Sequence, residues 1–441
     1  MKRLLSLVLV GLMLLSLCAC AKEEEKVDYN ALLNNPELTY SAEELAKMKE
    51  EATLHVADFD APQLYKYFEG LMKIGVSFTS NQITNLEDPV TKGIMKNYNV
   101  MVLGNEMKPD HMNPAPDTWN FDNADAFVEF AALTGAELRG HTLGWHSQVP
   151  QWWFKADPAD TRSVQECYEQ GALASREQLT ERLEKHITTV VTRYKDDIKY
   201  WDVFNEVLNS NSIRQVADDS WWAEIIGDVD GNGYADDYVE IGFRAARAAD
   251  EDAVLIINDF NMEWQDSKTQ AMYDMVERML RKGVRIDGVG FQSHIGLDTN
   301  VEHYRKQIEK IAGLSAIYDE CFPEYAGNFR IQITELDMNM FVGSIADKGY
   351  YTWKPEDYEK QAKQYKALFN MFADFAERDI IDMVVFWGTD DGNSWLNSTP
   401  KMRRNAAMIV DRGEETGYLL KPCYYAIAEV GLERAGKKAA D

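Results

Sequence analysis

Short apolar runs alternate with longer amphipathic ones along this chain, and no other feature of the sequence restricts the fold as much. Eight runs have the length and apolar content of buried β-strands. They lie at 75–78, 100–103, 136–140, 200–204, 254–257, 288–291, 330–333 and 383–386. Helix-like stretches lie between them, for example at 180–194, 238–249, 268–282 and 355–377. Strands that alternate with helices predict a parallel sheet, and eight such units predict a closed α/β barrel of the (β/α)₈, or TIM, type in a single domain.

Polar or aromatic side chains directly follow seven of the eight runs. They occupy positions 105–108, 141–142, 205–206, 258–259, 292–294, 334–337 and 387. The carboxyl ends of all strands of a parallel barrel meet at one face, where barrel enzymes carry their chemistry. Helix caps or loop contacts would explain one or two such residues. Seven in order predict a functional site at that face.

Two glutamates stand at the ends of the fourth and seventh runs. Glu206 follows Asn205, and Glu335 follows an Ile-Thr pair. Two carboxylates across a barrel can hydrolyse a glycosidic bond, because one protonates the leaving oxygen while the other attacks the anomeric carbon or activates water. We expect His294 and Asp337 to support Glu335 by keeping it ionised, so that the two glutamates differ in pKa. A buried histidine bonded to backbone is the alternative for His294.

The first twenty residues have the pattern of a bacterial export signal. Lys2 and Arg3 precede an apolar run at 4–17, which is shorter than a membrane span. The run ends in Leu-Cys-Ala-Cys, which resembles a lipobox with cleavage before Cys20 and a lipid on its sulfur. Cleavage before Cys18, or an ordinary signal peptide that contains cysteine, are the alternatives.

These patterns predict three segments and a location outside the cytoplasm. We expect a lipoprotein signal peptide at 1–19, a lipid-anchored tether with an N-terminal extension at 20–60, and the catalytic barrel at 61–436. The formal net charge of −27 repels nucleic acid and anionic headgroups, so the lipid is the expected membrane contact. Cys167, Cys321 and Cys423 are too few and too scattered to imply a disulfide framework. We expect a secreted, surface- or membrane-anchored monomer without a nucleic-acid partner.

Six segments, in order, make the chain resemble glycoside hydrolase family ten. They are NEMKP at 105–109, RGHTLGWHSQ at 139–148, WDVFNE at 201–206, DGVGFQSH at 287–294, ITELD at 333–337, and WG at 387–388 followed by SW at 394–395. The segment KPCYYA at 421–426 resembles the closing helix of the family. The resemblance runs from about residue 64 to residue 430.

The resemblance implies a retaining endo-β-1,4-xylanase that acts on xylan and xylo-oligosaccharides and needs no cofactor for catalysis. Glu206 matches the acid/base of the family and Glu335 its nucleophile, while Asn205 matches a residue that binds the sugar 2-hydroxyl. The matches to glycone-side residues are Asn105, Lys108, His141, Trp145 and Gln148. Gln292 and His294 match the strand-six pair, and Trp387 and Trp395 match aromatic walls. The alternative for Lys108 is an ordinary exposed lysine. The alternative for Trp145, Trp387 and Trp395 is that they are core residues.

Some positions depart from the family pattern. Gly104 stands where a glutamate often binds sugar, and Leu396 stands where a basic residue is common. Phe260 replaces a frequent tyrosine on the aglycone side, so stacking on sugar is retained while a hydroxyl contact is lost. An insertion at 154–176 follows the third strand on the side of the site; it either shapes the glycone end of the groove or is a solvated loop.

An acidic loop resembles the start of an EF-hand calcium loop. Asp228, Asp230, Asn232 and Asp236 occupy its positions one, three, five and nine, with glycine at six. Position twelve is Val239 instead of the expected glutamate. The loop predicts a structural Ca²⁺ site, and a plain acidic turn is the alternative.

Three other functions compete with a xylanase. A barrel β-glucanase or mannanase shares the two glutamates, but the Gly-His-Thr-Leu and Asn-Glu-Met-Lys motifs favour xylan. A non-catalytic sugar-capturing lipoprotein would show the loss of a glutamate, and both glutamates are present. The charge and the export signal disfavour a nucleic-acid or signalling protein.

Overall fold

A computed structural model describes residues 63–348, 351–397, 404–411 and 418–438. Eight parallel strands close into a barrel, because each strand pairs with the next and the last pairs with the first. They are β1 (Lys73–Phe78), β2 (Val100–Leu103), β3 (Glu137–Gly144), β4 (Ile198–Asn205), β5 (Val254–Asp259), β6 (Gly288–Phe291), β7 (Arg330–Asn339) and β8 (Ile381–Phe386). The predicted barrel and its eight strands are confirmed. The predicted signal peptide, Cys20 and the tether lie outside the described residues.

Twelve α-helices are present in the described ranges, and most of them surround the barrel. They are α1 (Pro89–Asn97), α2 (Pro109–Met112), α3 (Asp122–Thr134), α4 (Val164–Glu169), α5 (Arg176–Tyr194), α6 (Trp222–Ile226), α7 (Asp237–Ala249), α8 (Asp266–Arg281), α9 (Val301–Ala312), α10 (Leu314–Cys321), α11 (Pro355–Ala376) and α12 (Pro422–Lys438). Residues of high capping preference begin several of them; Ser175, for example, accepts a hydrogen bond from the Gln178 amide. Within the same ranges, none of the helices combines the length and apolar composition needed to cross a bilayer.

Alternate side chains of the strands belong to two separate cores. Val100 and Val102 of β2 pack with Tyr200, Met383 and Val385 in a small cluster of buried strand residues. Their neighbours Met101 and Leu103 belong to the large core between strands and helices. This alternation follows from the two-residue period of a strand and leaves only the strand ends free for a site.

The insertion at 154–176 is a packed segment. The ring of Phe154 lies 5.2 Å from that of Trp222, and Tyr168 lies 5.6 Å from Trp221. Ser163 caps α4 through a capping box with Glu166. The insertion therefore packs against the segment that follows β4, and the described residues that line the main cavity include none of its members.

Candidate active site

One cavity of about 540 Å³ lies at the carboxyl ends of the strands. It brings together nearly all the residues that the sequence singles out. They are Asn105, Lys108, His141, Trp145, Gln148, Asn205, Glu206, Phe260, Gln292, His294, Glu335, Trp387 and Trp395. Asp337 lies behind this surface and contacts His294 and Trp395. Gly104 also lines the cavity, where it contributes backbone alone.

Glu335 is a buried carboxylate held on both oxygens. Its Oε1 accepts a hydrogen bond of 2.7 Å from Nδ2 of Asn258, and its Oε2 lies 3.2 Å from Nε2 of His294. Burial alone raises the pKa of Glu335, but the hydrogen bond from His294 and the charges of His141 and Lys108 outweigh it. The pKa of Glu335 falls to about 2, so this carboxylate is ionised at any pH near neutrality.

His294 connects Glu335 to a second buried carboxylate. Its Nδ1 lies 3.0 Å from Oδ2 of Asp337, and that oxygen also accepts a hydrogen bond of 2.7 Å from Nε1 of Trp395. Burial lowers the pKa of His294, but Asp337 and Glu335 together raise it well above the ordinary value. The imidazolium is therefore held between two carboxylates. This fixes the orientation of the His294 ring and the rotamer of Glu335.

Glu206 is held in a strained backbone conformation and contacts neutral groups. Its φ of 55° lies in the left-handed region, which costs about 1–3 kcal/mol for a residue that is not glycine. Oε1 accepts a hydrogen bond of 3.0 Å from Nε2 of Gln292 and a longer one from Asn205. Nε2 of His146 lies 3.9 Å from Oε2, and burial, aided by the charge of Arg214, lowers the pKa of that histidine to about 4. Unlike Glu335, Glu206 therefore contacts amides and an uncharged imidazole near neutral pH.

Lys108 lines the cavity, and amide oxygens hold its charged group in place. Its Nζ donates to Oδ1 of Asn105 at 2.9 Å and to Oε1 of Gln148 at 2.7 Å. The ammonium also lies 4.8 Å from the ring centroid of Trp145. Only 5% of Lys108 is exposed, and burial lowers its pKa although several carboxylates oppose that shift. Such a fixed donor suits the hydroxyl groups of a sugar.

A buried ion pair lies beneath His141. Arg139 donates to both carboxylate oxygens of Asp202, and Nδ1 of His141 lies 2.8 Å from one of them. The imidazole ring packs edge-on against Trp387, with centroids 5.1 Å apart. Asp202 thus orients His141 toward the cavity from inside the barrel wall.

Two residues at the centre of the site were given no individual role from the sequence, although Asn258 is among the strand-end positions that predict the site. Asn258 bonds Glu335 and Asn205 through Nδ2, while its Oδ1 accepts from Thr334. His146 lies beside Glu206. Asn258 stands at the end of β5, so its position was the available signal. His146 lies six residues beyond Gly140 of the third strand, and nothing in its spacing distinguished it from Trp145.

The acidic loop departs from the prediction at one ligand. Carboxylate oxygens of Asp228, Asp230 and Asp237 lie within 4.8 Å of one another. Asp236, the predicted ninth-position ligand, lies outside this cluster, because it is buried and bonded to Arg278 on α8. The following residue takes its place in the cluster. Lys282 lies among these carboxylates, 3.5 Å from Asp237, and also contacts Asp230.

An eight-stranded barrel with one ionised glutamate in β7, and with a second glutamate directly after β4 that contacts neutral groups, defines the class of barrel glycoside hydrolases. A model of the family described as "Glycosyl hydrolase family 10" matches residues 63–430. The chain belongs to this family.

Curated relatives agree with that assignment. Endo-1,4-beta-xylanase C of Paenibacillus barcinonensis is 37% identical over 371 residues, which are 83% of this chain and 31% of that protein. The thermostable celloxylanase of Thermoclostridium stercorarium is 37% identical over 378 residues, 84% of this chain and 88% of that protein. The chain spans about a third of the length of the first curated relatives it matches.

Solved structures share the fold. A family 10 structure from Paenibacillus barcinonensis covers 84% of this chain and 97% of its own, with 37% identity and a TM-score of 0.75. A mutant of an intracellular xylanase from Thermoanaerobacterium saccharolyticum, in complex with xylotetraose, covers 83% and 98%, with 38% identity and a TM-score of 0.68.

Proposed function

We propose that this protein is an endo-1,4-β-xylanase that cleaves xylan and xylo-oligosaccharides with retention of configuration. The observation that carries the proposal is the contrast between the two glutamates. Glu335 is held ionised by His294, as a nucleophile must be, while Glu206 contacts amides and an uncharged imidazole. The names of the relatives and the xylotetraose complex of a neighbour support xylan as the substrate.

The proposed reaction has two steps. Glu206 protonates the glycosidic oxygen while Glu335 attacks the anomeric carbon, which releases the aglycone and leaves a glycosyl–enzyme ester. Glu206, now a carboxylate, takes a proton from water, and the water oxygen attacks the same carbon and displaces Glu335. The amide of Asn205, which lies beside Glu206, is proposed to bond the 2-hydroxyl of the reacting sugar. Two inversions give a product with the original β-configuration.

The glycone groove is proposed to hold the sugar by fixed polar groups and aromatic walls. Lys108, with the amides of Asn105 and Gln148, offers hydrogen bonds to sugar hydroxyls. Trp387 and Trp395 line the same cavity and offer flat apolar faces to the pyranose rings. Gly104 adds no side chain there, so we propose weaker binding at the distal glycone position than a glutamate would give.

The activity is tested by incubating the purified protein with glucuronoxylan, arabinoxylan and carboxymethylcellulose. New reducing ends and short products are expected from both xylans, and Glu335→Ala should release none. Proton NMR of early products should show the β-anomer first. Release from carboxymethylcellulose alone would make the protein a glucanase, and the α-anomer first would exclude the double displacement.

We further propose that the chain is exported and held on a membrane or cell surface by a lipid on Cys20. The positively charged start, the apolar run at 4–17 and the lipobox-like end of that run support this. Metabolic labelling with a radioactive fatty acid should label the wild type in a bacterial host and leave Cys20→Ala unlabelled. Equal labelling of Cys18→Ala and wild type would confirm the cleavage site, while an unlabelled wild type would contradict the anchor.

We propose a structural Ca²⁺ site with Asp228, Asp230, Asn232 and Asp237 as its oxygen ligands. The clustering of three carboxylates supports it, and binding would displace Lys282 from Asp230. Ca²⁺ should raise the Tm of the protein, EDTA should reverse the rise, and Asp228→Ala should abolish it. A Tm that is unchanged by either reagent would mean that the loop is an acidic turn held by Lys282 and not a Ca²⁺ site.

We propose that the protein is a monomer, since one chain forms the whole barrel and its cavity. Light scattering of the purified protein with Cys20 removed should give the mass of one chain. A mass of two or more chains would contradict this.

A further inference from the structure

A second cavity adjoins the main one on the far side of His294. It has a volume of about 450 Å³ and is lined by the segment after β6 and the first turn of α9, together with one residue of the segment after β5. The lining residues are Trp264, His294, Ile295, Gly296, Asp298, Thr299, Asn300 and His303. His294 lines both cavities, so the two lie on either side of this one residue.

The topology places this second cavity opposite the glycone residues. In a closed barrel of eight strands, β6 lies across the axis from β2, and β5 lies across from β1. Asn105 and Lys108 follow β2, whereas Asp298 and Asn300 follow β6. A linear polysaccharide that crosses the two glutamates from the glycone end therefore leaves the main cavity toward Trp264.

Trp264 has the properties of a sugar-stacking platform. The residue is 56% exposed, one of the most exposed large apolar residues in the described part of the chain. No other ring or cation of those residues packs against its indole. The backbone beneath it is fixed, because the buried Glu263 accepts a hydrogen bond of 2.6 Å from the Ser293 amide and so joins the segment after β5 to the one after β6. A rigid, exposed aromatic face beside a polar cleft is typical of carbohydrate binding.

The polar groups of the cleft suit a neutral sugar. The side-chain carbonyl of Asn300 accepts from the His303 amide, and among the described residues its Nδ2 meets no acceptor. The carboxylate of Asp298 likewise meets no donor there. A free donor and a free acceptor match the hydroxyls of a xylose unit, while the charge of Asp298 repels a uronic acid substituent.

Resting on the proposed xylanase activity, we propose that Trp264 and this cleft form an aglycone subsite. It holds an unsubstituted xylosyl unit beyond the sugar next to the cleaved bond. That nearer sugar faces Phe260, which lines the main cavity. Trp264 thus selects long substrates and sets where along a chain the enzyme cuts.

The test compares a substrate that reaches the cleft with one that does not. Wild type, Trp264→Ala and Trp264→Phe are assayed on xylohexaose and on 4-nitrophenyl β-xylobioside, whose aglycone is a single ring. Tyr425→Ala is the matched control, because Tyr425 is also an exposed aromatic residue (52%) but lies on α12, outside both cavities. We expect Trp264→Ala to lower kcat/KM for xylohexaose about tenfold, as the loss of a stacking contact does.

The same variant should leave kcat/KM for the aryl xylobioside unchanged, and Trp264→Phe should recover most of the loss on xylohexaose. An unchanged kcat/KM for xylohexaose in Trp264→Ala would overturn the proposal. Equal losses on both substrates would also overturn it, since they would mean that Trp264 supports the catalytic pair. If the wild type cleaves neither substrate, the proposed xylanase activity itself fails, which is seen before any variant is compared.

Discussion

His294 and Glu335 contact each other through Nε2 and Oε2, which lie 3.2 Å apart. On its other side the same imidazole faces Asp337 at 3.0 Å. A cation between two buried carboxylates is stabilised by both, and it in turn stabilises the ionised form of Glu335. This arrangement allows a buried glutamate to remain a carboxylate, although burial alone would favour its protonated form.

Replacing His294 should make the reaction sensitive to acid. The pKa of Glu335 is lowered to about 2 with His294 present, against an ordinary 4.5. In His294→Ala the lost hydrogen bond and charge should raise that pKa, so the nucleophile becomes protonated at a higher pH than in the wild type as the pH falls. The ratio of variant to wild-type kcat/KM on 4-nitrophenyl β-xylobioside should therefore fall at least threefold between pH 7 and pH 4.

His303→Ala is the matched control, because this histidine lines the second cavity, the proposed aglycone subsite, which the short substrate does not reach. The ratio of kcat/KM of His303→Ala to that of the wild type should not change with pH. A flat ratio for His294→Ala would contradict the role given to His294.

Replacing Glu206 should matter only when the leaving group needs a proton. Glu206→Ala should lower kcat/KM by about 10²–10⁴-fold on xylohexaose, whose sugar leaving group needs a proton, which is the usual contribution of a general acid. On 2,4-dinitrophenyl β-xylobioside, whose phenolate leaves without protonation, the rate of glycosylation should be close to that of the wild type. A burst of dinitrophenol followed by slow turnover is expected, since the second step still lacks its base. Glu335→Ala should be inactive on both substrates; a similar loss on both in Glu206→Ala would mean that the two roles are misassigned.

Lys108 should bind sugar through its charge, and its lowered pKa sets the pH at which that binding is lost. Lys108→Met keeps most of the side chain's length and removes the charge. It should raise KM for xylotetraose by roughly 10- to 100-fold, as the loss of a charged hydrogen bond of about 1.5–3 kcal/mol does. Because burial lowers the pKa of Lys108, its charge is lost at a lower pH than that of an ordinary lysine as the pH rises.

Wild-type KM should therefore increase on the alkaline side, while that of Lys108→Met should not change there. The matched control is Lys185→Met, which removes an exposed lysine from a surface ion pair with Asp117. A wild-type KM that does not change up to pH 10 would contradict the proposal that Lys108 binds sugar through its charge.

The sequence was sufficient to predict the barrel and the two glutamates, because both depend on local order. Strand ends in a parallel barrel converge by topology alone, so Glu206 and Glu335 could be paired without coordinates. Asp236 shows the limit, since its partner Arg278 on α8 is 42 residues away and only the folded structure brings the two side chains together. Gly140 is another case: a Cβ there would lie 2.2 Å from the ring of Trp201, a neighbour that only the strand register reveals.

Arg139 should be among the most costly residues to replace in the barrel. Its guanidinium and the Asp202 carboxylate are both fully buried, and Asp202 also orients His141. Arg139→Leu leaves a buried carboxylate without its main partner, which should lower the free energy of unfolding by about 3–5 kcal/mol. Urea unfolding followed by tryptophan fluorescence measures this. Lys185→Ala, which breaks the exposed pair with Asp117, should cost less than about 1 kcal/mol.

The double variant Arg139→Leu, Asp202→Asn separates the two contributions of the pair. It removes the uncompensated charge of Asp202, so it should be more stable than Arg139→Leu alone, by about 1–3 kcal/mol. It should still be less active than the wild type, because an asparagine amide orients His141 less firmly than a carboxylate does. A double variant no more stable than Arg139→Leu would show that the loss comes from packing of the arginine side chain in the barrel and not from the uncompensated charge of Asp202.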